Sequence, residues 1–258
     1  MTAMKLSIII PCFNEINTIA AIVAKVSTVA LPVAREIIIV DDGSTDGTRD
    51  ALKALAAHHA LKVLYQPVNR GKGAAVRAGI AQATGDFIII QDADLEYDPA
   101  EYPNLLQPVL DGKADVVYGS RFVGHTAHRA PYVGHGLVNR FLTLLSNRFT
   151  RLQITDMAAC YKLFKREILE QIELEEDRFA FDPEVTAKVA RLPCTIQEVG
   201  ISYQGRSYCQ GKKIYWQDGV RAIYVILKYG LFNKRIPSLH PATVRENNDG
   251  SSSFHCAN

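Results

Sequence analysis

The chain runs to 258 residues with a formal net charge of +2, a length that buries one sizeable core and a charge balance that argues against a nucleic-acid partner. Its five cysteines, Cys12, Cys160, Cys194, Cys209 and Cys256, lack Cys-x-x-Cys spacing, which excludes a disulfide framework or zinc site and fits a reducing cytoplasm. The first apolar run, 6–10, is too short for a signal-peptide core, and nowhere do ~18 uninterrupted apolar residues mark a membrane span, so a soluble or peripheral protein is expected.

Leu6-Ser7-Ile8-Ile9-Ile10 reads as a buried strand ending at Pro11, and Ile16, Ile19, Ile22, Val23 and Val26 then recur at helical spacing. Ile37-Ile38-Ile39-Val40 is a second strand, running into Asp41-Asp42-Gly43-Ser44-Thr45-Asp46-Gly47-Thr48. Val63-Leu64-Tyr65 is a third, leading to Asn69-Arg70-Gly71-Lys72-Gly73 and an Ala-rich helix over 74–83. A fourth covers 87–91, and Val116-Val117-Tyr118 makes a fifth. Continuous β-branched runs alternating with helices predict an α/β fold, a mostly parallel sheet flanked by helices.

The fourth strand halts at Gln91-Asp92-Ala93-Asp94-Leu95-Glu96. If strand geometry continues, its two-residue period aims Asp92, Asp94 and Glu96 to one side, where the carboxylates repel unless a cation sits among them. Mg²⁺ or Mn²⁺, hard ions that typically arrive with phosphates, suit such a set. Asp98-Pro99-Ala100-Glu101 has the form of a helix start, which accounts for Asp98 but for neither Asp92 nor Asp94.

Ligands of parallel sheets bind beyond the carboxyl ends of the strands. Each polar cluster falls there: Asn14 and Glu15 after the first strand, Asp41 and Asp42 after the second, Arg70 and Lys72 after the third, Asp92 and Asp94 after the fourth. Asp-Gly and Ser-Thr-Asp-Gly are ordinary turn formers, yet four clusters in register describe a sugar-nucleotide pocket, with Lys72 in its basic Gly-rich loop. The dinucleotide fingerprint Gly-x-Gly-x-x-Gly is absent after the first strand, and Gly71-Lys72-Gly73 is no P-loop.

Val40-Asp41-Asp42-Gly43-Ser44-Thr45-Asp46-Gly47-Thr48, Asn69-Arg70-Gly71-Lys72-Gly73-Ala74-Ala75, Gln91-Asp92-Ala93-Asp94-Leu95 and Gly119-Ser120-Arg121-Phe122, in that order, resemble the inverting family-2 glycosyltransferases. The resemblance is strongest to their polyprenyl-phosphate (dolichyl-phosphate) mannosyl- and glucosyltransferase branch. It implies a single GT-A (Rossmann-like) domain over 1–232 with a C-terminal helical segment. A nucleotide-sugar half would occupy 1–120 and an acceptor half 121–232, before a tail over 233–258. The resemblance also implies that Pro11, Asn14, Glu15 and Asp41 or Asp42 line the nucleoside, and that Asp92 and Asp94 face the diphosphate and its metal. Glu96 stands where the mannosyl branch usually has Gln, and a charged ligand there still suits a divalent cation.

In the second half, Ser120, Arg121, His128 and Arg129 are candidates to cradle an anionic acceptor, because guanidinium groups grip phosphate bidentately; the resemblance places the acceptor phosphate at Arg121 and Arg129. Thr155-Asp156-Met157-Ala158-Ala159-Cys160-Tyr161-Lys162 carries the branch's Asp, with Ala159-Cys160 where the mannosyl version has Ser-Gly. Asp182-Pro183-Glu184 starts a helix. The segment 206–214 has the composition of a surface loop, and the resemblance brings its Arg206, Lys212 and Lys213 down on the donor diphosphate. The helix expected over 137–151, with Asn139 on its surface, either packs on the sheet or binds acceptor. From 220 to 232 the chain is nearly all apolar, with Arg221, Lys228 and Arg235 seven residues apart. That basic stripe predicts contact with an anionic membrane surface; the alternative is a helix packed on its own sheet or a homo-oligomer interface. Asn247-Asn248-Asp249-Gly250-Ser251-Ser252-Ser253 has the composition of a disordered tail.

Together these readings describe a metal-dependent inverting glycosyltransferase, cytoplasmic or peripheral on the inner face of the cytoplasmic membrane, that builds cell-envelope glycan. It would move mannose or glucose from a UDP- or GDP-sugar to a polyprenyl phosphate. Asp92 and Asp94, with Glu96, would hold Mg²⁺ or Mn²⁺, and Arg206 with Lys212 or Lys213 would neutralise the leaving group. A phosphate acceptor is already ionised at about pH 7 and needs no strong base, so Asp156 is expected to orient substrate. The alternatives are a family-2 transferase acting on a sugar hydroxyl, with Asp156 or Asp182 as base, and a nucleotide-sugar-binding protein without catalysis.

Overall fold

The computed structural model describes residues 4–123, 133–206, 216–231, 243–246 and 252–255. Strands β1 (Lys5–Cys12), β2 (Ala34–Asp41), β3 (Leu61–Tyr65) and β4 (Phe87–Ile90) lie parallel in the order β3-β2-β1-β4. Ile8, Ile9, Ile38, Ile39, Ile88 and Ile89 are fully buried, as expected where helices cover both faces. Helix α1 (Ile19–Thr28) buries Ile19, Ile22, Val23 and Val26, one stripe at helical spacing. Helix α2 (Thr48–His58) follows β2, and α3 (Lys72–Ile80) lies on β1 and β2. A Cβ at Gly79 would come within 2.4 Å of Ile9, so glycine permits this close approach.

The second half departs from an all-parallel sheet. A 3₁₀ turn (Pro99–Glu101), capped by Asp98, and α4 (Tyr102–Leu110) lead to β5 (Val116–Ser120). The short strand β6 (Lys162–Lys165) then inserts antiparallel between β4 and β5, and β7 (Thr195–Gly200) pairs parallel with β5. Helices α5 (Val133–Thr150), α6 (Arg166–Leu169) and α7 (Phe181–Val189) fill the connections, and α8 (Trp216–Leu231) packs on α5 and α7. Because β6 runs the other way, its amino end meets the rim where its neighbours present carboxyl ends. The segment around Asp156 therefore joins the clusters that follow β1 to β5.

Two strands, β8 (Thr243–Glu246) and β9 (Ser252–His255), extend the sheet antiparallel from β7, on either side of and partly within the stretch 247–253 whose composition predicts disorder. Asp249-Gly250 in the sequence between them is a hairpin signal that composition overlooks.

No described helix is long and apolar enough to cross a membrane. The basic stripe expected on α8 is engaged within the chain: Arg221 Nε and Nη2 each donate to Glu176 at 3.0 Å, and Lys228 Nζ donates to Glu175 at 3.0 Å. Arg235 lies outside the described residues.

Candidate active site

The rim of the sheet is built first by acids that fold its loops. Asp41 is fully buried and accepts from Arg49 Nε at 2.6 Å. Asp42 accepts from Arg70 N at 2.8 Å, Gly71 N at 2.7 Å and Asn69 Nδ2 at 2.9 Å; burial raises its carboxyl above the ordinary value against the pull of those amides. Gly71 has φ +104°, and a Cβ there would sit 2.5 Å from Asp177 O, so glycine alone lets the loop turn its amides inward. Asn14 Oδ1 accepts from Thr45 N at 2.8 Å, while its own N–H donates to Ser44 Oγ at 2.9 Å. Pro11 stands on β1 opposite Val40. Of the residues expected to line a nucleoside, Asp41, Asp42 and Asn14 are thus engaged in bracing the turns around it.

Beyond β4 the chain does not continue as a strand. It turns, with Leu95 at φ +64°, and the three acids are drawn to different cations. Asp92 meets Lys72 Nζ at 2.6 Å. Asp94 accepts from Arg206 Nη2 at 3.0 Å, and Glu15 accepts from Arg206 Nη1 and Nη2 at 3.1 Å each. Glu96 accepts from Tyr203 Oη at 2.8 Å and from Arg206 N at 2.6 Å. Among the described residues no three His, Cys, Asp or Glu side chains are arranged to hold a metal ion. The one-sided strand display of Asp92, Asp94 and Glu96 is therefore not formed, because the strand ends at Ile90. The donor chemistry still fits a hard divalent ion. Burial, then Asp92 and Glu96, push the Asp94 carboxyl up to about 7 despite Arg206, a repulsion that added positive charge relieves.

On the other side of Tyr203 lies a second charged centre. Arg121 Nε and Nη2 each donate to Asp156 at 2.7 Å, and Arg121 N donates at 3.0 Å. Asn139, buried rather than on the helix surface, donates to Asp156 at 2.8 Å. The Arg121 guanidinium lies 5.0 Å from the Tyr203 ring centroid, so one side chain touches both centres. Ser120 is fully buried and shares a hydrogen bond of 2.6 Å with Thr155, which holds the loop. Asp182, the other base candidate, pairs with fully buried Lys162 at 2.5 Å.

The glycosyl transferase family 2 profile matches residues 7–173. The chain belongs to that family. It is 28% identical over 233 residues to the dolichol-phosphate mannosyltransferase of Pyrococcus furiosus, covering 88% of this chain and 64% of that protein. It is 30% identical over 210 residues to the undecaprenyl-phosphate 4-deoxy-4-formamido-L-arabinose transferase of Pseudomonas aeruginosa, covering 80% of this chain and 59% of that one. The chain thus spans about three-fifths of the length of these relatives. Glucosyl-3-phosphoglycerate synthase from Mycobacterium tuberculosis, crystallised in complex with Mn²⁺, UDP and glucosyl-3-phosphoglycerate, superposes with a TM-score of 0.67 at 19% identity, over 98% of this chain and 87% of that one. That likeness gives this family-2 chain its GT-A fold.

The structure brings together Glu15, Lys72, Asp92, Asp94, Glu96 and Arg206 on one side of Tyr203, and Arg121 with Asp156 on the other. His128, Arg129, Lys212 and Lys213 lie outside the described residues. Sequence reasoning missed Tyr203 and Glu198. The signal for Glu198 was a charge between Ile196 and Val199 of β7. Its carboxylate accepts from Thr155 N at 2.8 Å and Asp156 N at 3.2 Å, fixing the loop that aims Asp156. Burial raises Glu198 to about 7 against those amides. A carboxyl whose folded pKa is raised favours folding when protonated, so its contribution falls as pH climbs from the unfolded value toward 7. Glu198→Gln is expected to raise the melting temperature at about pH 8, with the gain fading toward about pH 4.5; melts showing the same gain at both pH values would contradict this.

Proposed function

We propose that this family-2 protein is an inverting hexosyltransferase that moves mannose or glucose from a UDP- or GDP-sugar to a polyprenyl phosphate. The observation that carries the reading is the state of the two candidate bases. Asp156 is enclosed by Arg121 and Asn139, and Asp182 by Lys162. Neither is placed to take a proton from a sugar hydroxyl, whereas a phosphate acceptor requires no proton removal. The names of the two curated relatives, both lipid-phosphate sugar transferases, support the same choice.

In this reading Asp92 and Asp94, with Glu96, hold Mg²⁺ or Mn²⁺, as a Mn²⁺–UDP complex of the mycobacterial fold neighbour encourages. Such an ion, when bound, supplies positive charge for the diphosphate as it leaves. Lys72 and Arg206 add fixed charge on the same side, with Lys212 and Lys213 assigned there by sequence. Glu15, Pro11 and Asn14 border the nucleoside. Arg121, whose Nη1 has no hydrogen-bond partner among the described residues, turns to the acceptor phosphate, Asp156 holds that guanidinium in orientation, and Arg129 is assigned to the same grip by sequence. The nucleotide-sugar half is 1–120 and the acceptor half 121–232.

A lipid acceptor requires contact with a bilayer, here placed on α5 rather than on the paired cations of α8. Leu137, Val138, Phe141 and Leu144 are 64, 56, 56 and 61% exposed, an apolar face of α5. Leu137→Ser with Phe141→Ser and Leu144→Ser is expected to reduce sedimentation with anionic liposomes and turnover of a long-chain acceptor. A short-chain soluble analogue should still be used. Unchanged sedimentation together with a dimer that falls apart would make this face an oligomer interface. The function itself is tested by offering UDP- and GDP-hexoses with polyprenyl phosphate and with soluble sugar acceptors.

A further inference from the structure

We propose that Arg206 is a selectivity residue, which makes the acidic site take a divalent cation together with a diphosphate in preference to the cation alone. The inference rests on the function proposed above. The guanidinium occupies the middle of the acids: it spans both oxygens of Glu15 at 3.1 Å, reaches Asp94 at 3.0 Å, and brings Nε to 4.0 Å from Glu96 Oε1. Nε itself is buried with no hydrogen-bond acceptor among the described residues. The guanidinium thus grips Glu15 bidentately and shares Nη2 with Asp94, a resident cation among the acids.

An ion entering alone must compete with Arg206 for Asp94, and the guanidinium, left with Glu15, would then face a dication close by. An ion entering with a diphosphate brings an anion to offset it. Gln204 N is anchored to the Glu96 carbonyl at 2.9 Å, which ties the segment before Arg206 to the turn that carries the acids. Cation and nucleotide should then raise each other's affinity by the same factor.

The test is Mn²⁺ binding followed by the free-ion EPR signal, with Mn²⁺ alone and with UDP or GDP added. Wild type is expected to bind Mn²⁺ weakly alone and more tightly with one of the nucleotides. Arg206→Gln should bind Mn²⁺ alone at least about fivefold more tightly than wild type, and the nucleotide should then add less. If circular dichroism finds Arg206→Gln unfolded, Arg206→Met, which also removes the charge, is read for the same rise. A variant that binds free Mn²⁺ no better than wild type overturns the role of Arg206 and leaves the function standing. A wild type that ignores Mn²⁺ even with nucleotide present overturns both.

Discussion

Arg121→Ala is expected to destabilise the protein by about 3–5 kcal/mol, besides losing acceptor use, because it strips the partner from a buried carboxylate. Asp156 is fully buried. Burial pushes its carboxyl up, but the hydrogen bonds and charge of Arg121 outweigh that and hold it below the ordinary value. A carboxyl with a depressed folded pKa contributes stability that is present above its unfolded value, 3.8, and lost as pH falls through the folded one. Urea unfolding should therefore find the deficit of Arg121→Ala at neutral pH and a narrower gap below about pH 4. Adding Asp156→Asn should recover part of the loss by removing the stranded charge. A variant within about 1 kcal/mol of wild type at neutral pH would show that the pair is no more than a surface ion pair in energetic terms.

The second large effect is on chemistry. Arg206→Ala should lower kcat about 10²–10³-fold, the usual cost of removing one group that stabilises charge developing on a leaving oxygen, while donor KM changes less. Asp94→Ala should abolish transfer with the fold intact, since Asp94 lies on a turn beyond β4 and not among the core residues of the strand. Steady-state kinetics on purified variants, with melting curves as the control for folding, decide both. An Arg206→Ala enzyme with wild-type kcat would reduce Arg206 to a structural counter-ion of Glu15 and Asp94.

Much of this was legible in the sequence because it depends on local pattern. The isoleucine runs of β1, β2 and β4 announce strands buried on both faces, and the polar clusters after them fall at one rim by topology alone. The acids were found, but not their geometry: whether Asp92, Asp94 and Glu96 share a face depends on where β4 ends, and an αL residue such as Leu95 leaves no signal in composition. Strand β6 was missed because four residues carry too little periodicity, and its antiparallel insertion depends on partners far away in the chain. Arg221 and Lys228 read as a free basic stripe because Glu175 and Glu176, which pair with them, lie some 45 to 53 residues earlier. The bracing roles of Asp41, Asp42 and Ser120 are likewise long-range facts, visible only once the loops meet.

The measurement closest to the central claim is identification of the product. Purified protein with Mn²⁺ is given labelled UDP-glucose or GDP-mannose together with an equimolar mixture of polyprenyl phosphate and soluble sugar acceptors. Label should move into the organic phase as a hexose joined to the lipid through phosphate, with its anomeric configuration inverted relative to the donor. Label transferred instead to a sugar hydroxyl in the aqueous phase would contradict the account, since it would require a base where Asp156 and Asp182 are both held by cations.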